Sequence, residues 1–391
     1  MNPAPFKEKH STKEELGETL GRFKRCGVKV ALVHDYLNQF GGAERVLMAF
    51  AEMFPEAPIY TIFYDKELLN GRLKDKKIHT SFLDRSFIRR HHRYFIPLMP
   101  TAMRNLDLGD EYDLIISDTA SFGKGIRHKK GLHISYMHTP LRYAWEPELY
   151  LNTLLPNSAI TLATPIISYL RNWDRAAAQK PHVVIANSQF IADKINRFYD
   201  RDAEIIYPPV DTDTFYRETS ESALGDYFLA FGRIVHFKRF DLVVEAFNDI
   251  NLPLKIIGSG SEKPYIKQLI KSKLIEMIDE VKDEGELRKI INNARAVIFP
   301  QIEDFGLVAA ESIACGTPVI AYAKGGALEI VKDGKNGLLF NEQTSESLRS
   351  AIQKFQGIKF NRAAVSKSAE IFSKKTFQKE FNKILQKHLK V

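Results

Sequence analysis

Short runs of apolar, largely β-branched residues alternate with segments of helical period along this chain, and the alternation happens twice. The first set of runs covers 28–34, 59–63, 114–117, 133–137 and 183–187, separated by helical patterns such as 43–54 and 173–179. The second covers 227–231, 254–257, 296–299 and 319–322, with helical patterns over 240–248 and 307–314. Strands that read as continuous apolar runs are buried on both faces, and crossover helices are what covers both faces of a parallel sheet. The expected fold class is therefore α/β, with two Rossmann-like, doubly wound parallel-sheet domains whose carboxyl strand ends face a central cleft. Between the sets, Pro208, Pro209 and the turn residues after them read as an interdomain crossing. The expected boundaries are a polar extension over 1–28, a first domain over 29–206, a second over 207–373 and a terminal helix over 374–391.

A chain of 391 residues with 44% hydrophobic content can bury cores of this size. Its formal net charge of +8 favours anionic partners, among them nucleotide phosphates, anionic lipid and nucleic acid. Cys26 and Cys315 are the two cysteines, far apart and without CxxC spacing, so neither a disulfide framework nor a zinc site is expected. Residues 1–28 are polar and mixed in charge, unlike a secretory leader. The longest weakly apolar stretch, 154–170, is interrupted by Pro156, Asn157 and Pro165 and falls short of the roughly 20 apolar residues that span a bilayer. The expected location is cytoplasmic, soluble or peripheral at the inner face of the membrane.

Several local patterns suit an anionic ligand. Gly41 and Gly42 precede a helix beginning near Ala43, where small residues and a helix amino terminus could meet a phosphate. An isolated pair of glycines is more often an ordinary tight turn. Gly232-Arg233 closes a strand of the second set, and Lys238 follows five residues after Arg233. Two cations just beyond a strand's carboxyl end could stabilise a departing diphosphate, although most basic runs are simply solvated faces. In Phe299-Pro-Gln-Ile-Glu-Asp-Phe-Gly-Leu-Val-Ala-Ala-Glu311 a strand leads through a glycine-bearing loop into a helix. Glu303 in the loop and Glu311 in the helix could then bind one extended ligand, with sugar hydroxyls at Glu303, diphosphate on the Phe305, Gly306 and Leu307 amides, and ribose at Glu311. The plainer alternative is an acidic loop and a helix salt bridge. Asp211-Thr-Asp213 looks like a metal-binding DxD, but its place after two prolines suits a turn. No essential metal or other cofactor is expected.

The Gly41-Gly42 loop, Tyr207-Pro-Pro-Val-Asp211, the Gly232-Arg-x4-Lys238 element, the Glu303-x7-Glu311 segment and Lys324-Gly-Gly-Ala-Leu-Glu329 occur in the order seen in glycosyltransferase family 4. From about Lys29 onward the chain resembles that family, and its His34-Asp35-Tyr36, Gly41-Gly-Ala-Glu-Arg45, His138-Thr-Pro and Ala186-Asn-Ser188 segments are similar to its bacterial O-antigen mannosyltransferase branch. The resemblance implies the GT-B fold and a retaining hexosyltransferase, using mannose from GDP-mannose, with a UDP-sugar or another GDP-sugar as the alternative donor. It implies catalytic roles for His138, Arg233, Lys238 and Glu303. Arg233 and Lys238 would hold the donor diphosphate, Glu303 the sugar and Glu311 the ribose. Asp283 would lie by the guanine, in a loop where Ile278-Asp279 stands in place of the family's Leu-Gly. The implied acceptor is a polyprenyl-diphosphate-linked saccharide. Arg85-Ser-Phe-Ile-Arg-Arg-His-His-Arg-Tyr-Phe-Ile96 interleaves cations with apolar residues and, as a helix, would offer an anionic membrane both faces of an interfacial anchor. A non-enzymatic nucleic-acid-binding protein is the remote alternative, but the chain lacks stacking aromatics interleaved on a basic strand, and no nucleic acid partner is expected.

Overall fold

The computed structural model describes residues 27–69, 71–148, 163–218, 225–279, 281 and 283–389. The polar extension, apart from its last two residues, Cys26 and the first half of the 154–170 stretch lie outside them. The chain divides into two compact units. One runs to Asn187 and includes Ile191–Ile206 and the residues from Lys375 onward; the other holds Ser188–Phe190 and Tyr207–Lys374.

The first unit is built on seven parallel strands: β1 (Val30–His34), β2 (Ile59–Thr61), β3 (Ile78–Thr80), β4 (Leu114–Thr119), β5 (Leu132–Met137), β6 (Val183–Ala186) and β7 (Glu204–Ile205). Their order is β3-β2-β1-β4-β5-β6-β7. Successive residues serve opposite faces: Leu32 and Ile116 join one core, while Ala31, Val33 and Ile115 join the other. This is why the strands are apolar throughout rather than alternating. The first core is closed by the helix Lys374–His388, whose Phe377, Phe381, Ile384 and Leu385 recur at helical spacing and are all buried. The Phe381 ring lies 4.8 Å from that of Phe50 in the helix Gly42–Met53.

The second unit has six parallel strands: β8 (Phe228–Phe231), β9 (Leu254–Ile257), β10 (Ile275–Ile278), β11 (Val297–Phe299), β12 (Val319–Tyr322) and β13 (Gly337–Phe340), in the order β10-β9-β8-β11-β12-β13. Both sheets therefore reverse direction beside their first strand, between β1 and β4 and between β8 and β11. Open α/β sheets bind ligands at such switch points, beyond the carboxyl ends of the strands.

Two local expectations need correction. The segment 85–96 is not one helix: a short helix, Ser86–Arg90, ends at His91 and is followed by a 3-10 stretch, His92–Leu98. Pro97 lacks an N–H and so cannot continue an α-helical ladder. The helix expected over 173–179 is instead Thr164–Ala178, and Pro165, taken as an interruption, occupies its first turn. A helix start is where a missing N–H costs nothing.

Candidate active site

In the second unit the chain leaves β8 through Gly232 and Arg233 and forms a 3-10 turn, His236–Lys238. Arg239 ends that turn in the left-handed region at φ 55°, which is costly for a side chain with a Cβ. Its guanidinium is anchored by Asp241, with Nε 3.1 Å from each carboxylate oxygen, and by Gln343. The strained residue thus sits directly behind Lys238, whose ammonium meets the Glu303 carboxylate across the switch point. These two side chains are 15 and 20% exposed, so the pair is screened without being dry. Arg233 is exposed and has no ion pair among the described residues.

Glu303 lies in the loop between β11 and the helix Leu307–Ala314. Gly306 begins that helix at φ 112°, and a Cβ there would lie 3.0 Å from the Phe299 ring, so glycine is needed on both counts. The same loop is braced by Gly326, whose amide donates to the Glu303 carbonyl at 2.9 Å. A Cβ on Gly326 would come within 2.1 Å of the Phe305 carbonyl oxygen, so the two backbones touch. Phe305 is buried against Tyr207 and Phe372, which leaves its backbone, not its ring, to meet a ligand. The first-turn amides at Leu307 and Val308 have no carbonyl of their own helix to bind, and they carry the positive end of the helix dipole. Lys238, Glu303 and this helix terminus are brought together. Glu311 is one turn further on and 4% exposed.

Asp283 follows β10 and is exposed, but its Oδ1 accepts the Glu286 amide at 2.7 Å and caps the helix Glu284–Asn293. A base contact would have to use its other oxygen. Asp211 accepts the amides of Asp213 and Thr214 and the Thr214 hydroxyl, which makes it a turn residue. Among the described residues no group of three His, Cys, Asp or Glu is arranged to hold a metal ion.

In the first unit, His138 follows β5, and its Nε2 lies 2.6 Å from Oδ1 of Asp118, at the end of β4. The other Asp118 oxygen is 2.9 Å from Nδ1 of His34, at the end of β1. His34 Nε2 in turn is 3.7 Å from Glu44, whose second oxygen accepts the Gly41 amide at 2.7 Å. That amide is therefore already engaged. Burial alone would lower the pKa of His34, but its two carboxylate partners, Asp118 first, carry it up to about 10. Burial alone would raise Asp118, and His138 and His34 outweigh it to hold the carboxyl below its ordinary range. Next to His34, the Asp35 carboxylate accepts the Thr119 hydroxyl and the amides of Ala120, Phe122 and Gly123, all at 2.7 Å, and so fixes the loop after β4.

Asp118 has no part in the expectations from sequence, and His34, Asp35 and Glu44 enter them only as letters of a motif. The available signal was polar residues closing otherwise apolar strands, in Ile115-Ile116-Ser117-Asp118 and Val33-His34-Asp35.

Comparison with known proteins places this architecture. Residues 40–214 match the family model described as Glycosyltransferase Family 4, and residues 213–371 match the one described as Glycosyl transferases group 1. The two matches adjoin, and with two parallel α/β domains the chain is a glycosyltransferase of the GT-B class. Among its relatives is an uncharacterized glycosyltransferase of Methanocaldococcus jannaschii, 28% identical over 265 residues, covering 65% of this chain and 74% of the relative. A D-inositol 3-phosphate glycosyltransferase of Nocardioides sp. is 30% identical over 208 residues, covering 44% of this chain and 45% of that one. The crystal structure of Anabaena HepE in complex with UDP aligns over 92% of this chain and 100% of its own, with a TM-score of 0.67 at 19% identity.

Proposed function

We propose that the chain is a retaining hexosyltransferase that moves mannose from GDP-mannose to a polyprenyl-diphosphate-linked saccharide in bacterial surface polysaccharide assembly, without an essential metal. The observation that carries this reading is the meeting of Lys238 and Glu303 at the second sheet's switch point, beside the helix terminus at Leu307. A departing diphosphate gathers charge, and a preorganised ammonium, a guanidinium and unbonded amides are suited to receive it. Lys238 and Arg233 take the diphosphate, Glu303 the sugar hydroxyls, Glu311 the ribose and Asp283 the guanine. His138 acts beside the transferred sugar. The leaving phosphate oxygen accepts the acceptor's proton on the face it departs from, so no enzymatic nucleophile is required and configuration is retained.

Titration calorimetry with GDP, UDP and ADP, followed by a turnover screen of nucleotide sugars, tests the donor. GDP binding together with GDP-mannose turnover is the expected result. Binding of UDP alone would overturn the guanine assignment and favour a UDP-sugar, a reading that the UDP bound in HepE supports. The acceptor's lipid calls for a membrane surface. Phe87 and Tyr94, 65 and 77% exposed among Arg85, Arg90 and Arg93, would supply it. No helix among the described residues is long and apolar enough to cross a membrane. Sedimentation with anionic liposomes at low salt should carry the wild type down and lose F87E/Y94E; free wild-type protein would sink the membrane contact.

A further inference from the structure

The contacts from His138 inward form one line: imidazole, carboxylate, imidazole, carboxylate, amide. Ionised carboxylates only accept hydrogen bonds, so each ring nitrogen facing Asp118 carries the hydrogen. His138 is then an Nε2–H tautomer, and its Nδ1 makes no hydrogen bond among the described residues. Its ring keeps 12% of its surface open, whereas Asp118 and His34 are 1 and 3% open and cannot reach a substrate themselves.

We infer that His34 is a positioning residue for the transfer reaction: by holding Asp118 on the side away from His138, it fixes the His138 ring with Nε2–H inward and Nδ1 as the nitrogen offered to a substrate hydroxyl. This rests on the reading in which His138 acts at the transferred sugar.

Three features separate this arrangement from an ordinary buried ion pair. The two histidines divide the two Asp118 oxygens between them, so neither can shift without releasing the carboxylate. His34 is held from its far side as well, by Glu44, whose anchorage to the Gly41 amide ties the line to the first turn of a helix. The peptide after β5 is fixed too, since the His138 amide donates to the Thr119 carbonyl at 2.8 Å and Asn187 donates to the His138 carbonyl at 3.1 Å. Backbone and ring are therefore both immobilised, as preorganisation requires.

Asp118 and Glu44 are the charged groups that act on His34, Tyr136 and Tyr36 stand by as neutral phenols, and Asp35 is occupied by the loop after β4. Replacing His34 by Gln removes the group that holds Asp118 from its far side, and replacing Asp118 by Asn removes the acceptor of the His138 Nε2–H. The turnover number should fall about 10- to 100-fold in H34Q and at least about 100-fold in D118N, with the donor KM within about twofold of wild type.

Histidine-labelled NMR of the wild type, with His138 assigned by loss of its signal in H138Q, reads the tautomer without need of turnover. Nε2–H on His138 in the wild type, mixed with the Nδ1–H form in H34Q and D118N, is the expected result. An Nδ1–H tautomer in the wild type, or an Nε2–H tautomer unchanged in both variants, would overturn the positioning role. Wild-type turnover in H138Q alongside the expected tautomer would overturn it differently, by removing His138 from the chemistry while the line of bonds stands.

Discussion

The Lys238–Glu303 pair makes a prediction whose two halves differ in sign. The two charges neutralise each other, so a nucleoside diphosphate must draw Lys238 away from Glu303 before its phosphates are fully met. Side-chain exposures of 15 and 20% set the pair between an exposed bridge, worth about 0.2–1 kcal/mol, and a buried one, which costs about 3–5 kcal/mol to break. An intermediate value of about 1–2 kcal/mol corresponds to about 5- to 30-fold in affinity. In E303Q the ammonium, no longer held by Glu303, should bind GDP tighter by up to that factor, because GDP has no sugar for Glu303 to hold. Turnover of the nucleotide sugar should nevertheless fall. K238A loses both, with turnover down about 100- to 1000-fold, the cost of removing one preorganised donor. Calorimetry with GDP on the two variants and their double mutant, beside turnover on each, completes the cycle. Weaker GDP binding in E303Q, or additive effects in the double mutant, would refute the view that the two residues compete for one ammonium.

Three further outcomes are expected. Gly326→Ala should cost about 1–3 kcal/mol, because the new Cβ would sit 2.1 Å from a backbone oxygen that cannot move alone, and thermal unfolding should show it. Phe381→Ala should remove about 3–5 kcal/mol from the first unit, read as a lower urea midpoint, since its ring is wholly buried against Phe50. His34 has a native pKa raised from 6.5 to about 10, so folding favours its protonated form. That stability is complete below about pH 6.5 and drains as pH climbs towards about 10. Urea titrations at rising pH should show the decline in the wild type and a flatter profile in H34Q.

The sheets were legible because their central strands are buried on both faces, which forces unbroken apolar runs; β9 and β12 appear at the bounds read from sequence. Two strands without such a signal are absent from the sequence reading. β7 is two exposed residues, and β13, although mostly buried, opens with a glycine inside a turn-rich stretch, Asp333-Gly-Lys-Asn-Gly337. In the site, the Lys238–Glu303 meeting joins residues 65 apart, and only the adjacency of β8 and β11 makes them neighbours. Their motifs signalled function without the pairing. The pairing of Asp118 is hidden for a related reason: its partners are 84 and 20 residues away, so a polar residue closing an apolar strand marks the position without showing what it holds.

The Lys374–His388 helix has a consequence for biogenesis. Phe377, Phe381, Ile384 and Leu385 belong to the same core as Leu32 and Ile59, although the whole of the second unit lies between them in the chain. On a ribosome, the second unit can close as soon as its own residues emerge. The first must hold part of its apolar interior open until some 340 residues later. The part translated first is thus the last to be sealed, and it is the part with most reason to need a chaperone meanwhile.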